Sequence, residues 1–475
     1  MNVIRRTFLT ETALGLGGVA LSALFARDRV VLGNEAPAPH GLSGLPHHFP
    51  KAKRVIFLYM SGGPSQFETF DHKPKLNQLD GQPMPESVTQ GQPIAQLQGQ
   101  QLKILGSQFK FHKHGESGQE IADILPHTAK LADDLAIIRS MHTDQINHDP
   151  AHTVMNTGTS ISGRPSMGAW ITYGLGSEAD ELPGFVVMTS EGGRNPQPIS
   201  SRQWGAGFLP GKFQGIQFQQ QGDAVHYVRN PPGVSETHQR RTLDAVRKLN
   251  TEYQKAALNP DVETRIAQYE LAFRMQSGIP NLFDLATEPK HVLEAYGLTS
   301  DTLQQSSFAR NCLVARRMAE RGVRFIQLYH RDWDHHGDLV KYMNTTCGLT
   351  DLPTYALIQD LKQRGMFDET LIVWGGEFGR TPMFQGKGQE PGRDHHMRSF
   401  SMWLAGGGVR GGVTYGATDE LGYHSVENPV HVRDLHATML HLLGIDHNRL
   451  TYRTQGLDFR LTGVEPARVV REVLA

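Results

Sequence analysis

Three short segments of the 475-residue chain concentrate side chains that bind metal ions and oxyanions. Segment 142–152 contains three histidines and two aspartates, and segment 330–338 contains three histidines and three aspartates. Segment 377–396 carries two glutamates and two arginines and ends in the sequence RDHH. Mixed carboxylate and imidazole donors suit Zn, Mn or Fe, whereas guanidinium groups suit oxyanions. The segments therefore predict a metal or anion site; the alternative is a set of capping groups and solvated charges without chemistry.

The elements that must position these segments alternate between apolar runs and amphipathic stretches. Continuous apolar runs, typical of strands buried on both faces, occupy 54–60, 135–141, 184–188, 323–329, 371–374 and 400–405. Helical spacing of apolar residues is found at 121–134, from Pro150 to 157, and at 236–258, 262–276, 308–321, 351–364 and 430–445. This alternation predicts an α/β protein, a three-layer α/β/α sandwich with a mostly parallel sheet. Because parallel strands share one carboxyl edge, the chemical segments are expected to meet there.

Overall composition excludes some classes of partner. Lys and Arg number 47 against 48 Asp and Glu, so no charge imbalance indicates nucleic acid or an anionic membrane surface. The two cysteines, Cys312 and Cys347, are too few for a disulfide framework or a thiolate metal cage, and nothing in the sequence supports a bridge between them. The 23 histidines are a large supply of the commonest metal ligand.

The N-terminal segment has the pattern of an export signal. Paired arginines, Arg5 and Arg6, precede Phe-Leu and an apolar run at 12–26, followed by polar residues. We therefore expect residues 1–33 to direct export by the twin-arginine route to the periplasm or cell surface of a bacterium. The run is too short to span a bilayer comfortably, and no other membrane span is expected. A Pro- and Gly-rich linker, 34–50, should lead to a single domain, 51–475, with loop insertions near 77–108 and 190–235.

Several motifs, taken in order, resemble those of the alkaline phosphatase and sulfatase superfamily, and within it an uncharacterised group of twin-arginine-exported, sulfatase-like bacterial proteins. HDPAHTVMNTG (148–158) is similar to the sulfatase nucleophile segment, and TLIVWGGEFGR (370–380) to the strand before the Asp-His-Gly metal motif. WLAGGGVRGG (403–412) and VRDLHATMLHLLGI (432–445) are similar to a glycine turn and a late helix of sulfatases. The resemblance runs from about residue 54 to 446 and implies an alkaline-phosphatase-like fold.

The sequence departs from that superfamily at its reactive positions. By the resemblance, His148 stands at the place of the Cys, Ser or Thr nucleophile and His152 at the place of an arginine. Ser61-Gly62-Gly63 replaces the acidic residues after the first strand, and Glu377-Phe378 replaces Asp-His. Formylglycine-type sulfatase chemistry, which needs Cys or Ser at position 148, is therefore not expected.

The resulting hypothesis is an exported, metal-dependent hydrolase of phosphate or sulfate esters, acting on an anionic ester or a sulfated or phosphorylated polysaccharide. One or two divalent ions, Zn, Mn or Fe rather than Ca, are expected on a set of five residues: Asp334, His336, Glu377, Asp394 and His395. His148 is expected to act as general base or nucleophile, with three residues holding the anion: His152, Arg380 and Arg393. The alternative is a non-catalytic exported protein of the same fold that uses a His-rich cleft to bind a sugar, a metal or a partner protein.

Overall fold

The computed structural model describes residues 41–190, 192, 196–219, 225, 233–257, 260–298, 303–386 and 390–475. Its strands are β1 (Arg54–Met60), β2 (Phe111–His114), β3 (Gln119–Ala122), β4 (Leu135–His142), β5 (Phe185–Ser190), β6 (Ile216–Phe218), β7 (Phe325–His330), β8 (Thr370–Gly375), β9 (Gly379–Arg380), β10 (His395–His396), β11 (Phe400–Ala405), β12 (Val413–Tyr415), β13 (Ala417–Thr418), β14 (Ser425–Glu427), β15 (Val430–His431), β16 (Tyr452–Thr454) and β17 (Leu457–Phe459). Its α-helices are α1 (Pro74–Gln78), α2 (Glu86–Thr89), α3 (His148–Thr157), α4 (Met167–Leu175), α5 (Glu236–Ala257), α6 (Pro260–Phe283), α7 (Lys290–Ala295), α8 (Leu303–Glu320), α9 (Leu339–Gln363) and α10 (Val432–Leu442).

The central sheet has nine strands in the described residues, in the order β12-β4-β11-β8-β1-β7-β5-β6, with β15 also paired to β4. Strand β11 runs antiparallel to both its neighbours, and the other pairings are parallel. The middle strands are mostly apolar, and β1, β7, β8 and β11 are buried along their whole length. Such strands require cover on both faces, as expected for a mostly parallel sheet.

Two apolar clusters, one on each face of the sheet, complete a three-layer sandwich. Alternate residues of β1 divide between them: Ile56 and Leu58 pack on one face, Val55 and Phe57 on the other. The first cluster includes residues of α6, α8 and α9, and the second includes residues of α3, α4 and α10. The predicted α/β class, the mostly parallel sheet and the α/β/α layering are therefore confirmed.

Some predicted elements differ from the structure. The helix predicted at 121–134 is wrong: the segment contains β3, then a 3-10 helix at Thr128–Asp134. Pro126 explains the difference, because proline removes a backbone donor and disfavours helical backbone in the residue before it. The helix predicted at 351–364 begins much earlier, at Leu339; Gly348 and the interior Pro353 obscure its period in the sequence. Helix α3 begins two residues before Pro150, which still lies in the first turn.

The chain divides by its internal contacts into two units, Pro37–Tyr452 with Phe459–Ala475, and Met1–Ala36 with Arg453–Asp458. Of the second unit only Arg453–Asp458 is described, within β16 and β17 and the turn between them. The predicted signal segment, 1–33, lies outside the described residues. No helix within the described ranges is long and apolar enough to cross a membrane. Cys312 and Cys347 are buried free thiols.

Candidate metal and ester site

The three chemical segments meet because the strands that precede two of them flank β1. Met60 of β1 pairs with His330, the last residue of β7, and Tyr59 pairs with Gly375, the last residue of β8. The loops that follow these strands therefore leave the sheet side by side. Segment 142–152 follows β4 and places His148 at the first turn of α3. The three segments therefore meet at one edge of the sheet, as the sequence predicted.

Asp334 lies at the centre of the site. Its Oδ1 atom is 3.2 Å from His148 Nε2, 2.8 Å from His336 Nε2 and 3.2 Å from His395 Nε2. The two imidazole nitrogens of His336 and His395 are themselves only 2.9 Å apart. Ligand atoms of these four residues all lie within 4.8 Å of one another. The fold therefore gathers one carboxylate and three imidazoles around a single point.

The outer nitrogens of these three histidines fix which ring nitrogen points inward. Nδ1 of His148 donates to Glu377 Oε1 (2.6 Å), and Nδ1 of His395 donates to the carbonyl of Ile146 (3.0 Å). Nδ1 of His336 is 2.6 Å from the side-chain oxygen of Gln385. Because these oxygens only accept, each Nδ1 carries a hydrogen, and a neutral ring then presents a lone pair at Nε2. Three nitrogen lone pairs and a carboxylate oxygen thus converge.

Such convergence of acceptors favours a cation between them, in addition to the guanidinium of Arg380 that donates to Asp334 Oδ1. Two ligand nitrogens at 2.9 Å are close to the roughly 3.3 Å expected for nitrogens that share a tetrahedral Zn ion at about 2.05 Å. His148 Nε2 is buried, and it faces the carboxylate of Asp334 at 3.2 Å. The partners at Nδ1 are of the kind that metal-ligating histidines use. The donor set therefore fits a divalent metal ion of the Zn, Mn or Fe type.

Glu377 lies beneath this cluster, in a second group with His148 and His152. The carboxylate is fully buried and accepts from the backbone N–H of Gly62 at 3.0 and 3.2 Å. His152 Nδ1 is 3.6 Å from Glu377 Oε2 and 2.8 Å from the hydroxyl of Tyr59. Glycine is required at position 62, with φ 120°, because a Cβ there would meet the backbone of residues 333–334. Residue 62 therefore lies against the loop that carries Asp334 while its amide donates to Glu377.

The charges of the site shift one another's pKa values. Burial opposes protonation of His148, but hydrogen bonds to Asp334 and Glu377 raise its pKa above 6.5. Burial also raises the pKa of Asp334, yet Arg380 and the hydrogen-bonded histidines hold it well below its usual range. Burial lowers the pKa of His395 to about 4, and it lowers the pKa of His152. Without a metal ion, a proton on His148 would therefore be the cation that bridges the two carboxylates.

Arg380 contacts Asp334, and every nitrogen of its guanidinium group donates a hydrogen bond. Nη2 donates to Asp334 Oδ1 (2.6 Å), and the other nitrogens donate to the backbone carbonyls of Gly63 (2.8 Å) and Arg393 (3.0 Å). The side chain is 1 % exposed. Arg380 thus fixes Asp334 and the surrounding loops, and its donors do not face an open cleft.

Arg393 and Asp394 point away from the cluster. Arg393 forms a two-pronged pair with the buried Glu68, at 2.9 and 2.7 Å. Asp394 Oδ2 accepts from the backbone N–H groups of Gln96 (2.7 Å) and Leu97 (3.0 Å). Of the residues predicted to act on metal or anion, the structure therefore brings together Asp334, His336, His395, His148, Glu377 and His152, and it places Arg393 and Asp394 in the supporting loops.

Three glutamines that sequence reasoning did not single out contact the cluster. Gln197 Nε2 donates to Asp334 Oδ2 (2.7 Å), which leaves Oδ1 to face the histidines. Gln96 and Gln385 contact His336. Gln96 and Gln197 come from the predicted insertions near 77–108 and 190–235. A neutral amide in a Gln-rich stretch gives no chemical signal by itself, so only the fold could identify these residues.

Comparison with solved structures gives weak likenesses. The structure titled Ps i-CgsB is 13% identical over 82% of this chain and 72% of its own, with a TM-score of 0.35. The PsFucS1 sulfatase from Pseudoalteromonas sp. is 11% identical over 84% of this chain and 68% of its own, with a TM-score of 0.34. A TAB5 alkaline phosphatase mutant with Mg bound is 10% identical over 75% of this chain and 92% of its own, with a TM-score of 0.30. Likeness at this level assigns neither a reaction nor a substrate.

The search of curated proteins gave no match to this chain. A family model described as "Protein of unknown function (DUF1501)" matches residues 52–474. That range contains the central sheet and every residue of the site described above. The chain therefore belongs to the DUF1501 family.

Proposed function

We propose that this protein is an exported, metal-dependent hydrolase of phosphate or sulfate esters. One observation carries the proposal: three imidazole Nε2 atoms and Asp334 Oδ1 converge at the carboxyl edge of a mostly parallel sheet, with each Nδ1 bound to an oxygen. The order of motifs similar to those of the alkaline phosphatase and sulfatase superfamily supports the ester substrate class. The acidic, imidazole and amide surroundings suit a divalent ion.

Asp334, His336 and His395 would hold the metal ion. Three protein ligands leave a coordination position open, which is the arrangement of catalytic rather than structural zinc sites. A bound divalent ion would offset charge on the ester oxygens and lower the pKa of water. The side chains of His336 and His148 are 23% and 16% exposed, so this side of the cluster borders solvent.

His148 would move a proton at Nε2. Glu377 accepts its Nδ1 hydrogen at 2.6 Å, which orients the ring and leaves Nε2 directed towards the cluster. A carboxylate that orients a histidine in this way also stabilises the protonated ring when it forms. In this proposal Glu377 acts through His148, whereas His152, buried against Tyr59, supports Glu377 from behind.

Metal analysis combined with an ester panel tests the proposal. The mature protein, purified with and without added Zn²⁺ or Mn²⁺, is assayed on aryl phosphates, aryl sulfates and sulfated oligosaccharides. We expect about one bound ion per chain and metal-dependent turnover of at least one ester. Absence of both would overturn the proposal.

A non-catalytic binding protein is the second candidate. The hydrogen bonding of Arg380 and Arg393 favours it. Both guanidinium groups are buried and committed to backbone or carboxylate partners, so neither offers free donors to a sulfate or phosphate. This candidate predicts binding of metal or a sugar without turnover in the same panel. Calorimetry with non-hydrolysed oligosaccharides separates the two.

Export is also part of the proposal. It is supported by the arginine pair and the apolar run that follows it, in residues outside the described part of the chain. Replacing Arg5 and Arg6 with lysine should retain the protein in the cytoplasm of a host with a twin-arginine system. Unchanged location would contradict this route.

A further inference from the structure

The segment around Gln96 is fixed against the loop that carries Gln385. Two backbone hydrogen bonds, Leu105 N–H to Pro382 O and Phe384 N–H to Lys103 O, are each 2.9 Å long. Ile104 and Met383 form an isolated β-bridge and are both buried. The inserted segment near 77–108 is therefore joined at its end to residues 382–384, beside the metal cluster.

Asp394 holds the middle of the same segment. Its fully buried carboxylate accepts from two successive backbone N–H groups, those of Gln96 (2.7 Å) and Leu97 (3.0 Å). Leu97 is 3% exposed and packs in a small apolar cluster with Met383. Loss of this carboxylate would leave two buried or half-buried donors without their acceptor.

Gln96 and Gln385, which these two segments carry, contact His336 and each other. Gln385 Oε1 accepts from His336 Nδ1 at 2.6 Å, and Gln385 Nε2 donates to Gln96 Oε1 at 2.9 Å. Gln96 Nε2 in turn lies 3.2 Å from His336 Nε2. Backbone hydrogen bonds in both directions between Gln385 and Gly392, at 2.9 and 2.6 Å, keep Gln385 in place.

We propose that Gln385 is a positioning residue for His336, that Gln96 holds the side chain of Gln385 in place, and that Asp394 is the anchor of the segment that carries Gln96. The inference rests on the metal site of the proposed function. Gln385 selects the tautomer with hydrogen on Nδ1, which directs the Nε2 lone pair to the ion. Gln96 Oε1 accepts from Gln385 Nε2, which keeps the Oε1 atom of Gln385 directed at His336.

The first test measures Zn²⁺ affinity by competition with a chelating dye. Gln385→Leu removes the acceptor for Nδ1 and should weaken binding about 10- to 100-fold, as loss of such partners does in other metal sites. Gln385→Glu retains an acceptor and should restore affinity to within about threefold of wild type. Gln98→Leu is the matched control, because Gln98 is exposed and, among the described residues, its side chain bonds locally to the carbonyl of Ile94.

The second test addresses the anchor without any metal. In metal-free protein, Asp394→Asn should accelerate hydrogen exchange at the amides of Gln96 and Leu97 at least about tenfold. Asp133→Asn is the matched control, since that carboxylate also accepts from two successive amides, of Glu116 and Ser117. Its effect should be confined to those two amides. Unchanged exchange at Gln96 and Leu97 in Asp394→Asn would overturn the anchor.

The outcomes separate this inference from the proposed function. A wild-type protein that binds Zn²⁺ tightly, together with equally tight binding by Gln385→Leu, would overturn the positioning role and leave the metal site standing. Weak binding by both Gln385→Leu and Gln385→Glu would also contradict it, because the acceptor would then not be the decisive feature. A wild type that binds no ion would overturn the proposed function and the positioning role with it.

Discussion

At the scale of the residue, the site is defined by which nitrogen each histidine turns inward. His148, His336 and His395 each have an oxygen at Nδ1, and all three direct Nε2 towards Asp334 Oδ1. Arg380 supplies one positive charge at Asp334 Oδ1, but the three histidine lone pairs still repel one another unless a proton or a metal ion lies among them. The arrangement is therefore a physical argument for a cation at this position.

Removal of a proposed ligand should weaken metal binding strongly without unfolding the protein. His336→Ala should lower Zn²⁺ affinity at least about 100-fold, because it takes away one of three ligands. His291→Ala is the matched control, since His291 is exposed. Chelator competition gives the affinities, and thermal unfolding of metal-free protein checks the fold. Equal affinity in both variants would exclude His336 as a ligand.

Glu377 should matter for turnover more than for metal content. Glu377→Gln removes the charge that orients and stabilises protonated His148, so kcat on a responsive ester should fall about 10²- to 10⁴-fold. Bound metal, measured by elemental analysis, should stay near the wild-type level. Loss of the ion together with activity would instead make Glu377 a ligand, as the sequence alone had suggested.

At the scale of the element, the site depends on loops that buried ion pairs hold together. Arg393 precedes β10 and pairs with Glu68, in the 3-10 helix Gln66–Glu68 that follows β1. Both side chains are completely buried. The pair joins the first strand's loop to the loop of segment 377–396, on which His395 depends.

Breaking this pair from one side should destabilise the fold. Glu68→Ala leaves a buried guanidinium without its carboxylate, which typically costs about 3–5 kcal/mol. The double variant Glu68→Met with Arg393→Met removes both charges and should lose less free energy of unfolding than Glu68→Ala. Urea denaturation measures both. A single variant as stable as wild type would show that the pair does not hold these loops.

The sequence predicted the elements whose pattern is local. The apolar strands at 54–60 and 400–405 have the predicted bounds, because a strand buried on both faces is marked by its own residues. The roles of Arg393 and Asp394 depend instead on partners hundreds of residues away, Glu68 and the amides of Gln96 and Leu97. Spacing within RDHH could not show that Asp394 and His395, adjacent in the chain, point to different neighbours.

At the scale of the whole molecule, some histidines lie in the core, away from the site. His330 and His436 are fully buried, and burial lowers their pKa values to about 3 and about 4. His436 Nε2 bonds the carbonyl of Met155 at 2.8 Å, and His330 Nδ1 accepts from Trp333. Both histidines pack in the core as neutral rings at neutral pH. Their burial opposes protonation, so they destabilise the fold in acid.

Stability should therefore fall as pH decreases from about 6.5 towards 4. In that window the unfolded chain protonates both histidines, whereas the native protein keeps them neutral, so unfolding takes up protons. Each contributes a slope of about 1.4 kcal/mol per pH unit. Urea denaturation across this pH window measures how steeply the free energy of unfolding depends on pH. His330→Gln should reduce that slope by about 1.4 kcal/mol per pH unit. An unchanged slope in that variant would remove His330 from the explanation.

Anomalous X-ray diffraction from crystals grown with Zn²⁺ would locate the proposed metal ion. We expect one strong peak bonded to His336 Nε2, His395 Nε2 and an oxygen of Asp334, at about 2.0–2.2 Å from each. His148 should lie beside that ion with its Nδ1 still on Glu377. A fully loaded crystal with no peak among these residues, or with the ion held elsewhere in the chain, would contradict the account.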